Sequence, residues 1–298
     1  MHLRKQAAAL LLSLSALSAN AGWTITDIGT LSPGYAYTFS WALGINDLGQ
    51  VVGTSATSDG AQHAFLWSAQ GGMVDLGDLP GGYNLSGAVA VNNAGKVAGY
   101  SRFAYATQAD HAFSWTSASG MVDLGAKPNN NFYSHGLGIN GAGTIVGYTG
   151  SPTVTTGFAY AQDGAMTLLS KPTGSSTQAN AINDNGLIAG ITIKTNGSTR
   201  ATLWNGGTRT ELSDMAGGVD YSFAAGLNNA GVVVGSSGGA DGGHAVYWTA
   251  DGQMVDLGDL PGGNVAGLAY AINEAGDIVG VGTIAGDENR AVLWRAGQ

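Results

Sequence analysis

The sequence has no cysteine, few charges and little proline, and each shortage removes a class of protein. Without cysteine there is no disulfide scaffold, no thiolate metal site and no cysteine nucleophile. The absence does not argue against export, because a domain of this size can rely on its apolar core instead. Only 6 of 298 residues are proline, so this is not a proline-rich linker protein. Charged residues make up 10%, and glutamate occurs only at Glu211, Glu274 and Glu288. Glycine is abundant, at 50 of 298, and apolar side chains reach 44%. That apolar share is enough to bury a core. Without a collagen period, so much glycine means many tight turns and close backbone approaches.

The first 21 residues read as a signal peptide. Arg4 and Lys5 form a positive start, Ala7 to Leu17 an apolar run of 11 residues, and Ala19-Asn20-Ala21 a small-residue cleavage site before Gly22. The run is too short to span a bilayer, and no other segment approaches that length. The chain reaches Gln298 directly after a repeat element, so no C-terminal anchor is expected. The expected location is therefore extracellular or periplasmic. Removing Arg4 and Lys5 leaves nine basic residues against 20 acidic ones, a net charge of −11. Such a surface repels phosphate backbones, so nucleic acid is not an expected partner.

Residues 22–298 read as a single repeat domain. The element Ile45-Asn46-Asp47-Leu48-Gly49-Gln50-Val51-Val52-Gly53 recurs around Asn92, Asn140, Asn183, Asn228 and Asn273, at spacings of 46, 48, 43, 45 and 45 residues. Asn, Asp and Gly suit a tight turn, and the Val- and Ile-rich flanks suit strands, so each copy predicts a hairpin. A third strand follows, as in His63-Ala64-Phe65-Leu66-Trp67, and then a fourth, as in Met73-Val74-Asp75-Leu76-Gly77, with relatives at Met121, Met166, Thr210 and Met254. Four short strands per repeat of this length predict an all-β fold, a six-bladed β-propeller of four-stranded blades. The last repeat has no fourth strand, and Ile25 to Gly29 supplies a spare one. The N-terminal strand should then complete the last blade and close the ring, which a β-solenoid, the rival architecture, would not require. Two and four residues before each Asn stand only Gly or Ala, for example Gly44 and Ala42. Strand alternation puts each pair on one face, near the axis, with Ile45 and its equivalents packing between sheets.

The His-Ala-Phe runs at His63 and His111, the Asn-Asp/Asn-x-Gly turns, and the two Asp-Leu-Gly-Asp-Leu-Pro-Gly-Gly stretches (Asp75 to Gly82, Asp256 to Gly263) resemble the HAF family of extracellular bacterial repeats. The resemblance covers essentially all of residues 22–298. It implies secretion and a repeat fold, and no activity or substrate.

No nucleophile elbow, zinc-protease helix or phosphate loop is present. The repeated His63, His111 and His244 read as strand-start residues bonding a loop, since equivalent blade positions lie too far apart to share a metal. The repeated Asp47, Asp75, Asp123, Asp184 and Asp256 read as turn caps. No cofactor is expected. No calcium loop of alternating carboxylates exists; Asp110 and Asp287-Glu288-Asn289 are the places a structural calcium could sit.

Variable loops join strands two and three and link successive blades, so both kinds should emerge on one face. That face gathers aromatics and amides, which suit sugar rings and protein contacts alike. Tyr37, Tyr83, Phe103 and Tyr105 break the repeat and are the stronger ligand candidates, with Asn84, Asn130 and His135 beside them. Phe39, Tyr133 and Tyr221 share one repeat position, which also fits packing. The expected function is a binding module for a glycan or an extracellular protein. The alternatives are a glycan hydrolase or lyase at the channel mouth, with carboxylates from separate blades, and a structural or adhesive surface protein.

Overall fold

The structure, a computed structural model, describes residues 26–34, 38–104, 109–126, 133–262, 266–284 and 288–295. Six antiparallel sheets follow one another along the chain, five of four strands and the last of three. Blade 1 runs Ser40–Ile45, Val51–Ala56, Gln62–Ser68 and Gly72–Asp75, from the inner strand outward. Inner strands also begin at Ser86, Tyr133, Ser176, Ser222 and Leu268. The chain is an all-β propeller of six blades.

The recurrent motif builds both the turn and the link to the next blade. In the first copy Asn46 accepts hydrogen bonds on its side-chain oxygen from the amides of Leu48 (3.1 Å) and Gln50 (2.9 Å). Gly49 takes φ 71°, a region that costs an L side chain energy. The amide nitrogen of Asn46 then donates to the Asn92 carbonyl at 2.9 Å. Asn92 donates to Asn140, Asn140 to Asn183, Asn183 to Asn228 and Asn228 to Asn273, at 3.0 to 3.3 Å. Only a side chain that accepts and donates at once can do this, which explains Asn rather than Asp.

The glycine that closes the motif has a different job. A Cβ on Gly53 would lie 1.8 Å from the Trp41 carbonyl oxygen, and Gly99, Gly147, Gly190, Gly235 and Gly280 face the same obstacle. This close approach accompanies a β-bulge in every inner strand. The bulge corrects the expectation for the small residues. The members of each pair do not share a face. Ala88, Ala179, Ala224 and Ala269 are fully buried against the preceding blade. Their companions face the following one: a Cβ on Gly44 would meet the Val89 carbonyl at 2.6 Å, and one on Gly226 the Tyr270 carbonyl at 3.2 Å. The residue before the Asn does pack between sheets in five copies, as Val91, Ile139, Ile182, Leu227 and Ile272, whereas Ile45 of blade 1 is 69% exposed.

The core is accordingly not one mass but five layers, one at each junction from blades 1–2 to blades 5–6. Phe113, Phe158, Trp204 and Trp248 of the third strands are the largest fully buried side chains in these layers, and Phe65 of blade 1, equally buried, belongs to none of them. Among the described residues no such layer joins blade 6 to blade 1. The last sheet ends at Glu288–Trp294, residues 26–30 pair with no strand, and Ile25 lies outside the described residues. Completion of the last blade by the N-terminal strand is thus not seen. One smaller register differs from expectation: Arg209, not Thr210, stands opposite Trp204 as Met73 stands opposite Trp67.

Candidate functional site

The repeated histidines work as clasps within each blade. His63 Nδ1 lies 2.9 Å from both oxygens of Asp75, His111 Nδ1 2.9 and 3.0 Å from those of Asp123, and His244 Nδ1 3.0 Å from Asp256. Each pair ties a third strand to its fourth, and the other ring nitrogen of two of them faces a loop carboxylate, Asp78 at 3.3 Å from His63 and Asp241 at 2.9 Å from His244. The same aspartates also cap the turn that follows, with Asp75 accepting from Gly77 N at 2.8 Å. Arg200 replaces the imidazole in blade 4 and pairs with Asp214 at 2.6 Å.

At the short-turn end of the channel the polar residues after the motif asparagines bond one another from blade to blade. A cavity of about 220 Å³ is ringed by the motif asparagines and by the residues after them, among them Asp47, Asn93, Asp184, Asn229 and Glu274. Asn93 donates to Asp47 at 2.7 Å, the Asp184 amide donates to Asn229 Oδ1 at 2.8 Å, and the Asn229 amide reaches Glu274 at 3.1 Å. Among the described residues no group of three His, Cys, Asp or Glu side chains is arranged to hold a metal ion.

The long-loop end carries the irregular chemistry, concentrated in blades 2 and 3. His135 on the inner strand of blade 3 is sandwiched between Tyr100 of blade 2 (ring centroids 4.4 Å apart, 9° between planes) and Tyr148 of its own blade (5.2 Å, 22°). Tyr133 meets His135 and Tyr148 edge-on, at 6.3 and 5.9 Å. His135 Nε2 lies 3.2 Å from Asp110, whose other oxygen accepts from Arg102 Nε at 2.5 Å. Burial opposes ionisation of Asp110, but the bonds from His135 and Arg102 outweigh it and hold the carboxyl below the usual range. Burial, reinforced by Tyr133, Asp110 and Tyr100, pushes Tyr148 up to about 12. Tyr100 and Tyr133 shift the same way, chiefly by burial. All three phenols therefore stay protonated donors at neutral pH.

The structure brings Tyr133 and His135 together, and it places Tyr83 and Phe103 on the neighbouring blade. The Tyr83 amide donates to the Arg102 carbonyl at 2.9 Å, and its side chain is 50% exposed. Phe103 is 38% exposed and stacks on His111 at 4.3 Å. Asn84 is exposed, and its carbonyl accepts from the Gln62 amide at 3.2 Å. Tyr221 is exposed too, but it precedes the inner strand of blade 5 and is separated from this group by blade 4. Tyr37, Tyr105 and Asn130 lie outside the described residues.

Sequence reasoning missed Tyr100 and Tyr148. The residue after each closing glycine is Thr54, Tyr100, Tyr148, Ile191, Ser236 or Val281. The two aromatics in that column were the available signal. Gly87 makes room for the first: it stands opposite Tyr100, and a Cβ there would come within 2.9 Å of the phenol ring.

No family model matches the chain, and no curated protein does. Neither comparison supports the HAF resemblance, which rests on the sequence motifs alone. Solved structures do match in fold. TolB from Acinetobacter baumannii aligns at 12% identity over 72% of this chain and 53% of its own, with a TM-score of 0.51. A puromycin hydrolase aligns at 10% identity over 88% and 44%, with a TM-score of 0.59. A catalytically inactive histidine-to-alanine variant of virginiamycin B lyase from Staphylococcus aureus, with quinupristin, aligns at 13% over 85% and 84%, with a TM-score of 0.52. The chain thus spans about half the length of the first two, and at these identities the likeness concerns the fold alone. Among the described residues no helix is long and apolar enough to cross a membrane.

Proposed function

We propose that the propeller is an exported binding module whose long-loop face, over blades 2 and 3, takes a neutral glycan. The observation that carries this is the Tyr100–His135–Tyr148 stack, with Tyr133 across its edge and Tyr83 and Phe103 exposed nearby. Its rings are held by one another, so they present edges, hydroxyls and fixed planes without a rotamer search on binding. Tyr83 and Phe103 offer the flat apolar surface that sugar C–H faces prefer. Charge selects against acidic polymers: Arg102 is neutralised by Asp110, and the chain without its leader carries −11.

A hydrolase or lyase has one observation in its favour, the Asp110–His135 pair, since a carboxylate that orients an imidazole is a recurrent acid–base device. Asp110 is already engaged by Arg102, and no second carboxylate stands in that group among the described residues. This favours binding over glycosidic cleavage, which uses two carboxylates.

Tyr83→Ala and Phe103→Ala should each weaken glycan binding by about 5- to 30-fold, the effect of removing one aromatic anchor, while unfolding midpoints stay within a degree or two. A calorimetric screen of neutral oligosaccharides checks this. Saturable binding to an extracellular protein, with no glycan bound, would move the same face to protein recognition. Turnover of any glycan that is abolished in His135→Gln would restore the enzyme reading.

A further inference from the structure

Among the described residues, the buried side-chain polar atoms that make no hydrogen bond are His63 Nε2 and Asp78 Oδ1, and they belong to groups that face each other. Native structures leave few such atoms, and each asks for a reason. His63 commits its other nitrogen to Asp75, whose two oxygens both lie 2.9 Å from Nδ1. Its Nε2 stands 3.3 Å from the second Asp78 oxygen without the alignment of a hydrogen bond. Three carboxylates from three segments face this ring: Asp75 of the fourth strand, Asp78 of the loop after it, and the exposed Asp59 of the loop before the third strand. Blade 2, packed against the same loop, brings Arg102, which Asp110 neutralises. The bond to Asp75 raises the pKa of His63, and burial raises that of Asp78. Both shifts favour keeping a proton at this contact.

Asp78 opens the loop that delivers Tyr83. Leu79 is buried in the layer between blades 1 and 2, and its amide donates to Ser101 Oγ at 3.1 Å. The Gly82 amide donates back to the Leu79 carbonyl at 2.8 Å. Gly82 lies so close to blade 2 that a Cβ there would come within 2.6 Å of the Arg102 carbonyl oxygen. That same carbonyl accepts from the Tyr83 amide. The loop thus runs from His63 in blade 1 to Arg102 in blade 2, and Arg102 reaches His135 through Asp110. The arrangement is particular to blade 1. Blade 5 repeats the sequence from Asp256 to Gly263, but there His244 Nε2 is taken by Asp241 at 2.9 Å. Blade 2 carries Ala126 where blade 1 has Asp78.

We propose that His63 and Asp78 form a proton-operated latch on the loop that carries Tyr83, closed when His63 is doubly protonated and open when its ring is neutral. The protonated ring sets an N–H at Nε2 against the Asp78 carboxylate, and a small rotation pairs both atoms. The neutral ring keeps its proton on Nδ1, where Asp75 accepts it, and turns a lone pair on Nε2 toward the carboxylate. That repulsion drives Asp78 toward solvent, loosens Leu79 from Ser101, and frees Gly82 and Tyr83 from the Arg102 carbonyl. His63 titrates above its unfolded value near 6.5, so the latch is closed below that value and opens as pH rises through the folded one. Glycan affinity at the face over blades 2 and 3 then falls with rising pH. This last consequence rests on the glycan reading of that face; the latch itself does not.

Amide hydrogen exchange of the full chain, without ligand, reads the latch directly. Corrected for the intrinsic rate, protection at Leu79, Gly82 and Tyr83 should fall about fivefold between pH 6 and pH 9. The Leu212 amide, bonded to the Ala201 carbonyl in blade 4, serves as the control and should not follow. Asp78→Asn keeps the shape, loses the charge and can donate to the neutral ring, so protection should stay within about a factor of two at both pH values. No fall in the wild type, an equal fall at Leu212, or a fall that persists in Asp78→Asn would overturn the latch; the wild-type series decides even where the variant fails to fold. Calorimetry with cellohexaose, maltohexaose and mannohexaose then reads the consequence. Any of them that binds should lose about fivefold in affinity over the same range, and Asp78→Asn should abolish that loss. Binding indifferent to pH while the loop responds would overturn the link between latch and face. A loop that responds while no glycan binds at either pH would overturn the glycan reading and support the latch alone.

Discussion

The two ends of the channel are built from the same six inner strands and show opposite chemistry. At the short-turn end, one residue type recurs, and in five of its six copies the side chain donates to the next blade. At the long-loop end, equivalent positions hold Trp41, Gly87, His135, Gln178, Phe223 and Leu268, and the side chains that differ most lie together. The difference teaches where selection acts on a repeat protein. Bonds that hold blades in register tolerate only the repeated residue, because the geometry is the same six times. A ligand site needs no such symmetry, so it is built from departures.

The sharpest way to break this contrast is to damage the regular end. Asn140 is 6% exposed, and it donates to the Asn183 carbonyl while accepting from Thr144 N. Asn140→Asp would set a carboxylate oxygen against a carbonyl oxygen. Leaving buried groups unpaired in this way costs about 1–3 kcal/mol, with more for the charge, so a loss of about 3 kcal/mol in chemical denaturation is expected. Glycan affinity of the folded fraction should stay within a factor of two. A large affinity loss would show that the two ends are coupled.

The reverse experiment makes the irregular end regular. Tyr148→Ser gives blade 3 the residue that blade 5 carries as Ser236, also opposite an inner strand. Blade 5 shows that the fold accepts serine there, so the cost in stability should be about 1–2 kcal/mol for the lost half-buried ring. Binding should fall about tenfold, because His135 loses one of the two rings that hold it. Unchanged affinity in titration calorimetry would reduce the stack to inter-blade packing.

How much of this was legible follows from the same contrast. The blade count and the strand order could be read because the Asn-x-x-Gly element repeats with a period that only its geometry explains. The inward face of Ala42 and Gly44 was misread because alternation assumes an unbroken ladder. The bulge that separates them depends on Gly53 touching the Trp41 carbonyl, a contact between strands that no single-strand pattern contains. The site was half legible. Tyr83 and Phe103 stood out by breaking the repeat and His135 by standing apart from the repeated histidines, whereas Tyr133 occupies a repeat position that also fits packing, and Tyr100 and Tyr148 sit inside regular second strands, where aromatics are ordinary. The link between Arg102 and His135 through Asp110 joins two blades and has no signature in sequence spacing.

The histidine clasps supply the gentlest test of the contrast, since they are repeated yet titratable. The hydrogen bond to Asp75 raises the pKa of His63, with Asp75, Asp78 and Asp59 adding favourable charge and burial opposing. Burial also opposes protonation of His244, but its bonds to Asp241 and Asp256 outweigh it. Both folded values therefore lie above the unfolded value near 6.5. The stabilisation is fully present below that value and is lost as pH rises through the folded values. Asp75 works in the opposite sense: burial raises its pKa, the bond from His63 and that from Gly77 N lower it further, and its contribution is lost as pH falls. The thermal midpoint should thus decline by a few degrees from pH 6 to pH 9, with both clasps partly screened by solvent. A His63→Gln, His244→Gln double variant should flatten that slope and start lower at pH 6. Blade 4 carries Arg200, paired with Asp214, where the clasp histidine stands, and a slope that survives the double substitution would have to arise outside the His63 and His244 clasps.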